Sequence, residues 1–303
     1  MSNPFKSEFL YPRYWPTWLL IGLLRLVMLL PQRWQYRLGR GLGLALYYLL
    51  PGRRHIADVN LKLCFPELDA TTRKAQVKDV FRHNGTGLLE TAMTWWAPAD
   101  SFKSCCTVIG LEHLQQAQAA GRGVILLGGH YSALDMGGAL VSPHASFECF
   151  YRPQNNALFD YWANRGRLRF ADDMLPHDDM RNIVRRLRKG TVVWFAPDQD
   201  QGPTHSIYAP FFGVPAATVT STARLAKMTG AAVVPLGFHR LADGQYEVEF
   251  RPALDDFPAG DDLEDASRIN TELERLIRKH PTQYMWVHRR FKTHPKGKNH
   301  LYR

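Results

Sequence analysis

An apolar run that ends in two glycines and a histidine is the feature that most constrains the fold of this 303-residue chain. Val124–Leu127 is followed by Gly128 and Gly129, then by His130, and Asp135 comes five positions after the histidine. Glycines leave room for a substrate close to the backbone, and open α/β sheets place their chemistry where strands end. The pattern therefore predicts a strand, a tight turn and an exposed histidine at a sheet edge.

His130 is a candidate general base. A neutral imidazole can take a proton from a hydroxyl at neutral pH when a partner on its other ring nitrogen fixes the tautomer. Asp135, one turn into the following helix, is the expected partner. A histidine and a carboxylate at this spacing also occur by chance, so the interpretation depends on the strand and glycines before them and on the rest of the chain.

Strand and helix patterns alternate after this element. Strands are predicted at residues 146–152, 191–196, 231–238 and 245–250, with helices at 180–187 and 220–228. A further helical stretch, residues 71–96, is expected to break near Gly85 and Gly87. Strands separated by helices predict an α/β fold with a mostly parallel sheet flanked by helices.

The N-terminal segment, residues 15–30, is the most apolar part of the chain, and aromatic residues cluster at its ends as they do at membrane interfaces. At about sixteen residues it is slightly shorter than the roughly twenty that span a bilayer, and Arg25 lies inside it. A tilted single span is favoured, and an in-plane amphipathic helix is the alternative. We therefore expect a membrane-anchoring region at residues 1–50 and a catalytic domain at 51–303.

The charges around this segment predict an orientation. Lys6 and Arg13 precede it, whereas five arginines follow it closely: Arg33, Arg37, Arg40, Arg53 and Arg54. By the positive-inside rule, the body of the protein would lie in the cytoplasm.

The chain carries a net charge of +10, which favours anionic partners such as a phospholipid surface, a phosphorylated lipid, an acidic carrier protein or nucleic acid. No recognition helix or stacking motif for nucleic acid is recognisable. The four cysteines lack the spacing of a zinc site and the density of a disulfide scaffold, so they are expected to be reduced thiols.

A second polar motif, Pro197-Asp-Gln-Asp-Gln-Gly202, also follows a predicted strand. Asp198 and Asp200 have no accompanying histidine cluster or phosphate loop, which argues against a metal site. Beside the active site, the two carboxylates could hold basic side chains or bond to sugar and amide groups of an acceptor substrate. A solvated turn is the alternative.

His130 and Asp135 resemble the H-x4-D/E signature of the glycerolipid acyltransferase superfamily, and the wider pattern is similar to its lipid A late acyltransferase branch. Many members carry Glu at the acidic position, where this chain has the shorter Asp135. The resemblance continues in seven further blocks in the same order: residues 60–67, 87–96, 151–153, 166–169, 196–202, 210–212 and 283–292.

This resemblance implies an acyltransferase of lipopolysaccharide biosynthesis at the bacterial inner membrane, with its catalytic domain on the cytoplasmic side. The donor would be an acyl-carrier-protein thioester, and the acceptor a hydroxyl on a 3-hydroxyacyl chain of a phosphorylated lipid A precursor. His130 would be the base and Asp135 its orienting acid, with no metal ion and no cofactor.

Arginines in the matching blocks are candidates for phosphate contacts, which guanidinium groups form with two hydrogen bonds. These are Arg167, Arg169, Arg289 and Arg290, and Arg152 at a strand end could steady a phosphate or a developing oxyanion.

Two alternatives stay open at this level. A lysophospholipid or glycerol-phosphate acyltransferase would use the same chemistry on a different acceptor. A membrane-tethered basic module that binds nucleic acid would use the arginine clusters without catalysis.

Overall fold

A computed structural model describes residues 4–242 and 244–303, which form a seven-stranded sheet and a separate hairpin. The sheet strands are β1 (Cys106–Ile109), β2 (Val124–Leu127), β3 (Glu148–Tyr151), β4 (Asp173–Pro176), β5 (Val192–Phe195), β8 (Ala232–Arg240) and β9 (Tyr246–Phe250). The hairpin pairs β6 (Ser206–Phe211) with β7 (Val214–Val219).

The spatial order of the sheet is β1-β9-β8-β2-β5-β3-β4. Strands β8, β2, β5, β3 and β4 are parallel to one another, whereas β9 runs antiparallel to β8, and β1 is parallel to β9. Every residue of β2 and β5 is buried, as expected for central strands with helices on both faces. The predicted mostly parallel α/β sheet is confirmed.

Ten α-helices lie in the described part of the chain. They are α1 (Trp15–Val27), α2 (Gln32–Leu49), α3 (Pro51–Cys64), α4 (Ala70–Trp96), α5 (Leu111–Ala119), α6 (Leu134–Val141), α7 (Ala157–Arg167), α8 (Met180–Arg188), α9 (Ser221–Thr229) and α10 (Asp262–Lys279). Of these, α1 and α2 pack against α4. The ends follow local chemistry: the Asp69 carboxylate accepts from the first N–H groups of α4, and Gly230 ends α9 with a left-handed φ of 69°.

The expected break near Gly85 is wrong, because α4 is one continuous helix of 27 residues. Gly85 instead allows close packing against α2. A Cβ at Gly85 would lie 2.3 Å from the carbonyl oxygen of Gly39, and a Cβ at Gly43 would lie 2.1 Å from that of Phe81. The backbones of α2 and α4 therefore touch where side chains would hold them apart.

The N-terminal helix α1 has 13 residues, which is shorter than the span that the sequence favours. Among residues 4–242 and 244–303, no helix is long and apolar enough to cross a membrane. Ile21 of α1 and the preceding Phe9 pack against Trp95 of α4 and Leu158 of α7. Residues 1–3 of the predicted anchoring region lie outside the described residues.

We predict that Gly43→Ala lowers the free energy of unfolding by about 1–3 kcal/mol or more, because the new methyl group meets rigid backbone. Gly41→Ala is the matched control, since it lies in the same helix and a Cβ there meets nothing within 4 Å. The control should keep or slightly raise stability. Denaturant unfolding of both variants measures the difference, and equal stabilities would contradict the proposed helix contact.

Candidate active site

The turn after β2 is held in place by a segment from the other end of the chain. The backbone N–H of Met285 donates to the carbonyl of His130 at 2.9 Å, and the N–H of Ser132 donates to that of Gln283 at 2.8 Å. Tyr131 and Tyr284 form an antiparallel bridge. These contacts fix the backbone position of His130 at the carboxyl end of β2.

His130 is paired with Asp198, which follows the neighbouring strand β5. The ring nitrogen Nδ1 of His130 lies 2.6 Å from Oδ1 of Asp198, and the backbone N–H of His130 donates to Oδ2 at 2.9 Å. The hydroxyl of Tyr284 donates to the same Oδ2 at 2.7 Å. The Asp198 side chain is 0% exposed, whereas that of His130 is 23% exposed, so the histidine presents an edge to solvent and the carboxylate does not.

Electrostatics fix the protonation of this pair. Burial alone would raise the pKa of Asp198, but the charge of His130 and the hydrogen bonds from His130 and Tyr284 outweigh it and hold the pKa well below the usual range. Burial would likewise lower the pKa of His130, yet the Asp198 carboxylate and the hydrogen bond to it raise it overall. Asp198 is therefore ionised and accepts from Nδ1–H of His130.

This pairing leaves the other ring nitrogen of His130, Nε2, free to accept a proton. With the proton on Nδ1, the lone pair of a neutral His130 is on Nε2. Among the described residues, nothing bonds to Nε2. The arrangement is that of a general base with an orienting carboxylate behind it.

The expected contact between Asp135 and His130 is not formed. Oδ1 of Asp135 accepts from Nε of Arg167 at 2.7 Å, and Oδ2 accepts from the hydroxyl of Thr91 at 2.9 Å. Asp135 lies in the first turn of α6, and its carboxylate is directed to partners on α4 and α7. The orienting acid of His130 is thus Asp198, and a role for Asp135 in the site stays a prediction.

Asp135 positions Arg167. The pair raises the pKa of Arg167, and only Nε of the guanidinium is used within the described residues, so the two terminal nitrogens are unpartnered. Arg167 is close enough to His130 for its charge to oppose protonation of the imidazole. The predicted binding role of Arg167 is therefore compatible with the structure.

The carboxylate of Asp200 is directed into the protein. Its buried carboxylate accepts from the N–H and the hydroxyl of Thr293 at 2.6 and 2.8 Å, and Lys292 lies 3.8 Å away. The predicted contact of Asp198 and Asp200 with sugar or amide groups is therefore wrong, because both carboxylates are used inside the protein. Asp198 is paired with a basic side chain, that of His130, whereas Asp200 is bonded mainly to Thr293 with Lys292 nearby.

Two of the predicted phosphate-binding arginines are also occupied. Arg169 donates to the carbonyls of Thr94 and Ala97 at the end of α4, which is a helix-capping contact. Arg290 is 2% exposed and donates to the carbonyl of Ala217 and the hydroxyl of Thr218. The guanidinium of Arg290 is therefore not available to a phosphate at the surface, whereas Arg169 is exposed and stays a candidate.

The other two predicted arginines, Arg152 and Arg289, are exposed. Neither forms an ion pair with a carboxylate among the described residues. Arg289 lies over the ring of Tyr302, 6.0 Å from its centroid. Both stay candidates for anionic groups of a substrate.

A small cleft opens beside His130. Its walls are Asn60, His130, Asp198, Gln199, Tyr284, Met285, Trp286, His288 and Arg290. Asn60, Tyr284 and His288 lie in the matching blocks 60–67 and 283–292, but the sequence alone predicts no role for them. Their roles depend on contacts between distant positions, such as the hydrogen bonds from Asn60 to the carbonyls of Trp286 and His288, both 2.7 Å.

No residue in the walls of this cleft is a serine, threonine or cysteine. The four cysteines are free thiols, and burial raises the pKa of Cys149 to about 12 and that of Cys106 to about 11. These thiols are protonated at neutral pH, so they are poor nucleophiles. Among the described residues, no group of three histidine, cysteine or acidic side chains could hold a metal ion.

Comparison with known proteins gives concordant matches over the whole chain. Residues 2–293 match the family model described as bacterial lipid A biosynthesis acyltransferase. The chain is 41% identical over 295 residues to the lipid A biosynthesis lauroyltransferase of Escherichia coli (strain K12), covering 97% of this chain and 96% of that protein. It is 39% identical over 300 residues to the palmitoleoyltransferase of the same strain, covering 98% of each. The myristoyltransferase of that strain is 30% identical over 308 residues, covering 99% of this chain and 94% of that protein.

Proposed function

The chain belongs to the bacterial lipid A biosynthesis acyltransferase family, and on that premise we propose that it transfers a fatty acyl group from an acyl-carrier-protein thioester to a lipid A precursor. The accepting group is the hydroxyl of a 3-hydroxyacyl chain on that precursor. As an acyltransferase of lipid A biosynthesis, the enzyme contributes to the assembly of lipopolysaccharide.

The proposed mechanism rests on the pairing of His130 with Asp198. The buried, ionised Asp198 accepts hydrogen bonds from two groups of His130, the ring Nδ1–H and the backbone N–H. This leaves Nε2 to take the proton of the acceptor hydroxyl. General-base catalysis of this kind supplies about 10²–10⁴-fold in rate, and positioning of the two substrates and stabilisation of the oxyanion supply the rest.

Acyl transfer then proceeds directly from donor to acceptor. As Nε2 of His130 takes the proton, the acceptor oxygen forms a bond with the carbonyl carbon of the thioester, and the carbonyl oxygen becomes an oxyanion. The oxyanion collapses, the carbon–sulfur bond breaks, and the leaving thiolate takes the proton back from His130. No covalent enzyme intermediate is needed, consistent with a cleft whose walls offer no hydroxyl of serine or threonine and no thiol.

Arg167 is the best-placed arginine for an anionic group of the substrates. Asp135 and Thr91 fix the position of its Nε side, and its terminal nitrogens are free among the described residues. The exposed Arg152 and Arg289 extend the positive surface. With a net charge of +10, the enzyme attracts both an acidic carrier protein and a phosphorylated lipid.

We further propose that the enzyme lies on the cytoplasmic face of the inner membrane through α1 and α2. Both helices expose a row of large apolar side chains: Trp15, Leu19, Leu20, Leu23 and Leu26 on α1, and Trp34, Leu38, Leu42 and Leu49 on α2. Exposed apolar surface of this kind marks an interaction site. An in-plane helix buries such a face at the boundary between headgroups and acyl chains, next to a lipid acceptor.

The substrate assignment predicts that the purified enzyme transfers the acyl group from an acyl-carrier thioester to a lipid A precursor. Mass spectrometry of the lipid product measures the transfer. His130→Ala should lower the rate by at least about 10²-fold while the protein stays folded. His144→Ala, which removes an exposed histidine, is the control and should keep wild-type activity. Transfer only to a lysophospholipid would contradict the assigned acceptor. If the protein acylated neither acceptor and instead bound nucleic acid tightly, the assignment as an enzyme would be wrong.

The membrane assignment predicts that replacing Leu19, Leu23 and Leu26 together by glutamine weakens binding to anionic phospholipid vesicles by more than about tenfold, since each leucine loses its burial in lipid. Leu263→Gln is the matched control, because Leu263 is 44% exposed on α10. Vesicle sedimentation measures the bound fraction. Unchanged binding of the triple variant would show that another surface meets the bilayer.

A further inference from the structure

The wall of the cleft that faces His130 carries two buried nitrogen atoms without a partner. Nε2 of His288 and Nε of Arg290 are both inaccessible to solvent, and neither has a hydrogen-bond partner among the described residues. His288, Arg290 and His130 line the same cleft. Buried polar atoms are nearly always satisfied in folded proteins, so two orphans beside a general base suggest a ligand that supplies what they lack.

The backbone that carries His288 is rigidly held. The side-chain N–H groups of Asn60 donate to the backbone carbonyls of both Trp286 and His288 at 2.7 Å. The side-chain oxygen Oδ1 of Asn60 accepts from the hydroxyl of Tyr302. Asn60 itself is 0% exposed. A buried network with this many bonds fixes the position of the turn, which a group that must meet a reacting atom requires.

The imidazole of His288 is neutral at physiological pH. Burial lowers its pKa to about 4, a shift that the nearby carboxylate of Asp198 only partly opposes. A neutral imidazole donates one N–H and does not compete with a neighbouring base for protons. Neutral histidines are used in this way to polarise a carbonyl group in other enzymes.

We propose that His288 is a catalytic residue that donates its N–H to the carbonyl oxygen of the thioester and stabilises the oxyanion formed during acyl transfer. The inference rests on the proposed acyl transfer. When the acceptor oxygen attacks, the carbonyl π electrons move to this oxygen, and the hydrogen bond from His288 strengthens. When the carbon–sulfur bond breaks, the electrons return and the bond weakens, so His288 keeps its proton throughout.

The charge of Arg290 reinforces this arrangement. Arg290 is 2% exposed, and its guanidinium donates to the neutral oxygens of Ala217 and Thr218 and lies 4.8 Å from the centroid of the Phe211 ring. Among the described residues, no carboxylate lies within ion-pair distance of it. A buried positive charge with no carboxylate beside it favours negative charge nearby, and the oxyanion develops in the cleft that Arg290 lines.

The test compares His288→Phe, which removes the donor and keeps a ring, with His288→Gln, which restores an N–H. We expect His288→Phe to lower kcat by about 10²–10³-fold with KM changed less than about threefold, and His288→Gln to recover part of the loss. The pH at which activity falls on the acid side should not move, because His288 does not act through the protonation of His130. His144→Ala is the control, and thermal unfolding of each variant checks that the fold is kept.

Near-normal kcat in a folded His288→Phe variant would overturn the proposal. So would a loss of kcat that His288→Gln does not relieve, or a shift of the acid limb that follows the loss. A second readout needs no turnover: NMR of nitrogen-15-labelled histidines should show a neutral His288 ring from pH 6 to 8, and a protonated ring there would contradict the role. If the wild type acylates only a lysophospholipid, the proposed acceptor fails, and the same variants compared on that substrate still test His288.

Discussion

The pairing of the ionised Asp198 carboxylate with His130 is the interaction on which the proposed active site depends. A buried carboxylate is costly unless charge and hydrogen bonds compensate it, and here three donors do so: the ring and the backbone of His130, and the hydroxyl of Tyr284. The same bonds determine which nitrogen of His130 carries the proton. One carboxylate therefore sets the tautomer, the orientation and the raised pKa of His130, the proposed base.

The C-terminal segment completes this site from a distance. It supplies Tyr284 to Asp198, pairs with the backbone around His130, and places His288 in the cleft. Asn60 and Asp200 hold the segment in turn, through the carbonyl of Trp286 and through Thr293. Loosening of this segment would therefore disturb His130 indirectly, because the segment supplies the backbone bonds to His130 and Ser132.

The sequence predicts the local elements well and the pairings between them poorly. The apolar run before Gly128 and the strands β3, β5, β8 and β9 follow from residue patterns, whereas β4 and the β6–β7 hairpin are not predicted. His130 follows from its position at a strand end. Asp135 is the nearest acid in the sequence, yet Asp198 is the nearest acid in space, because parallel neighbours β2 and β5 bring their carboxyl ends together. A similar limit applies to Gly85, where a residue that usually breaks a helix serves a contact with α2 that no local pattern reveals.

The central claim is that Asp198, and not Asp135, sets the protonation of His130. The most direct measurement is the pKa of the His130 ring, followed by NMR in the wild type and in Asp198→Asn and Asp135→Asn variants. The wild-type pKa should lie above the ordinary value of 6.5, so the neutral base is lost as the pH falls through that raised value. Asp198→Asn should lower the pKa because the compensating charge is gone and burial then dominates, whereas Asp135→Asn should change it much less. A large fall in Asp135→Asn with no change in Asp198→Asn would contradict the account.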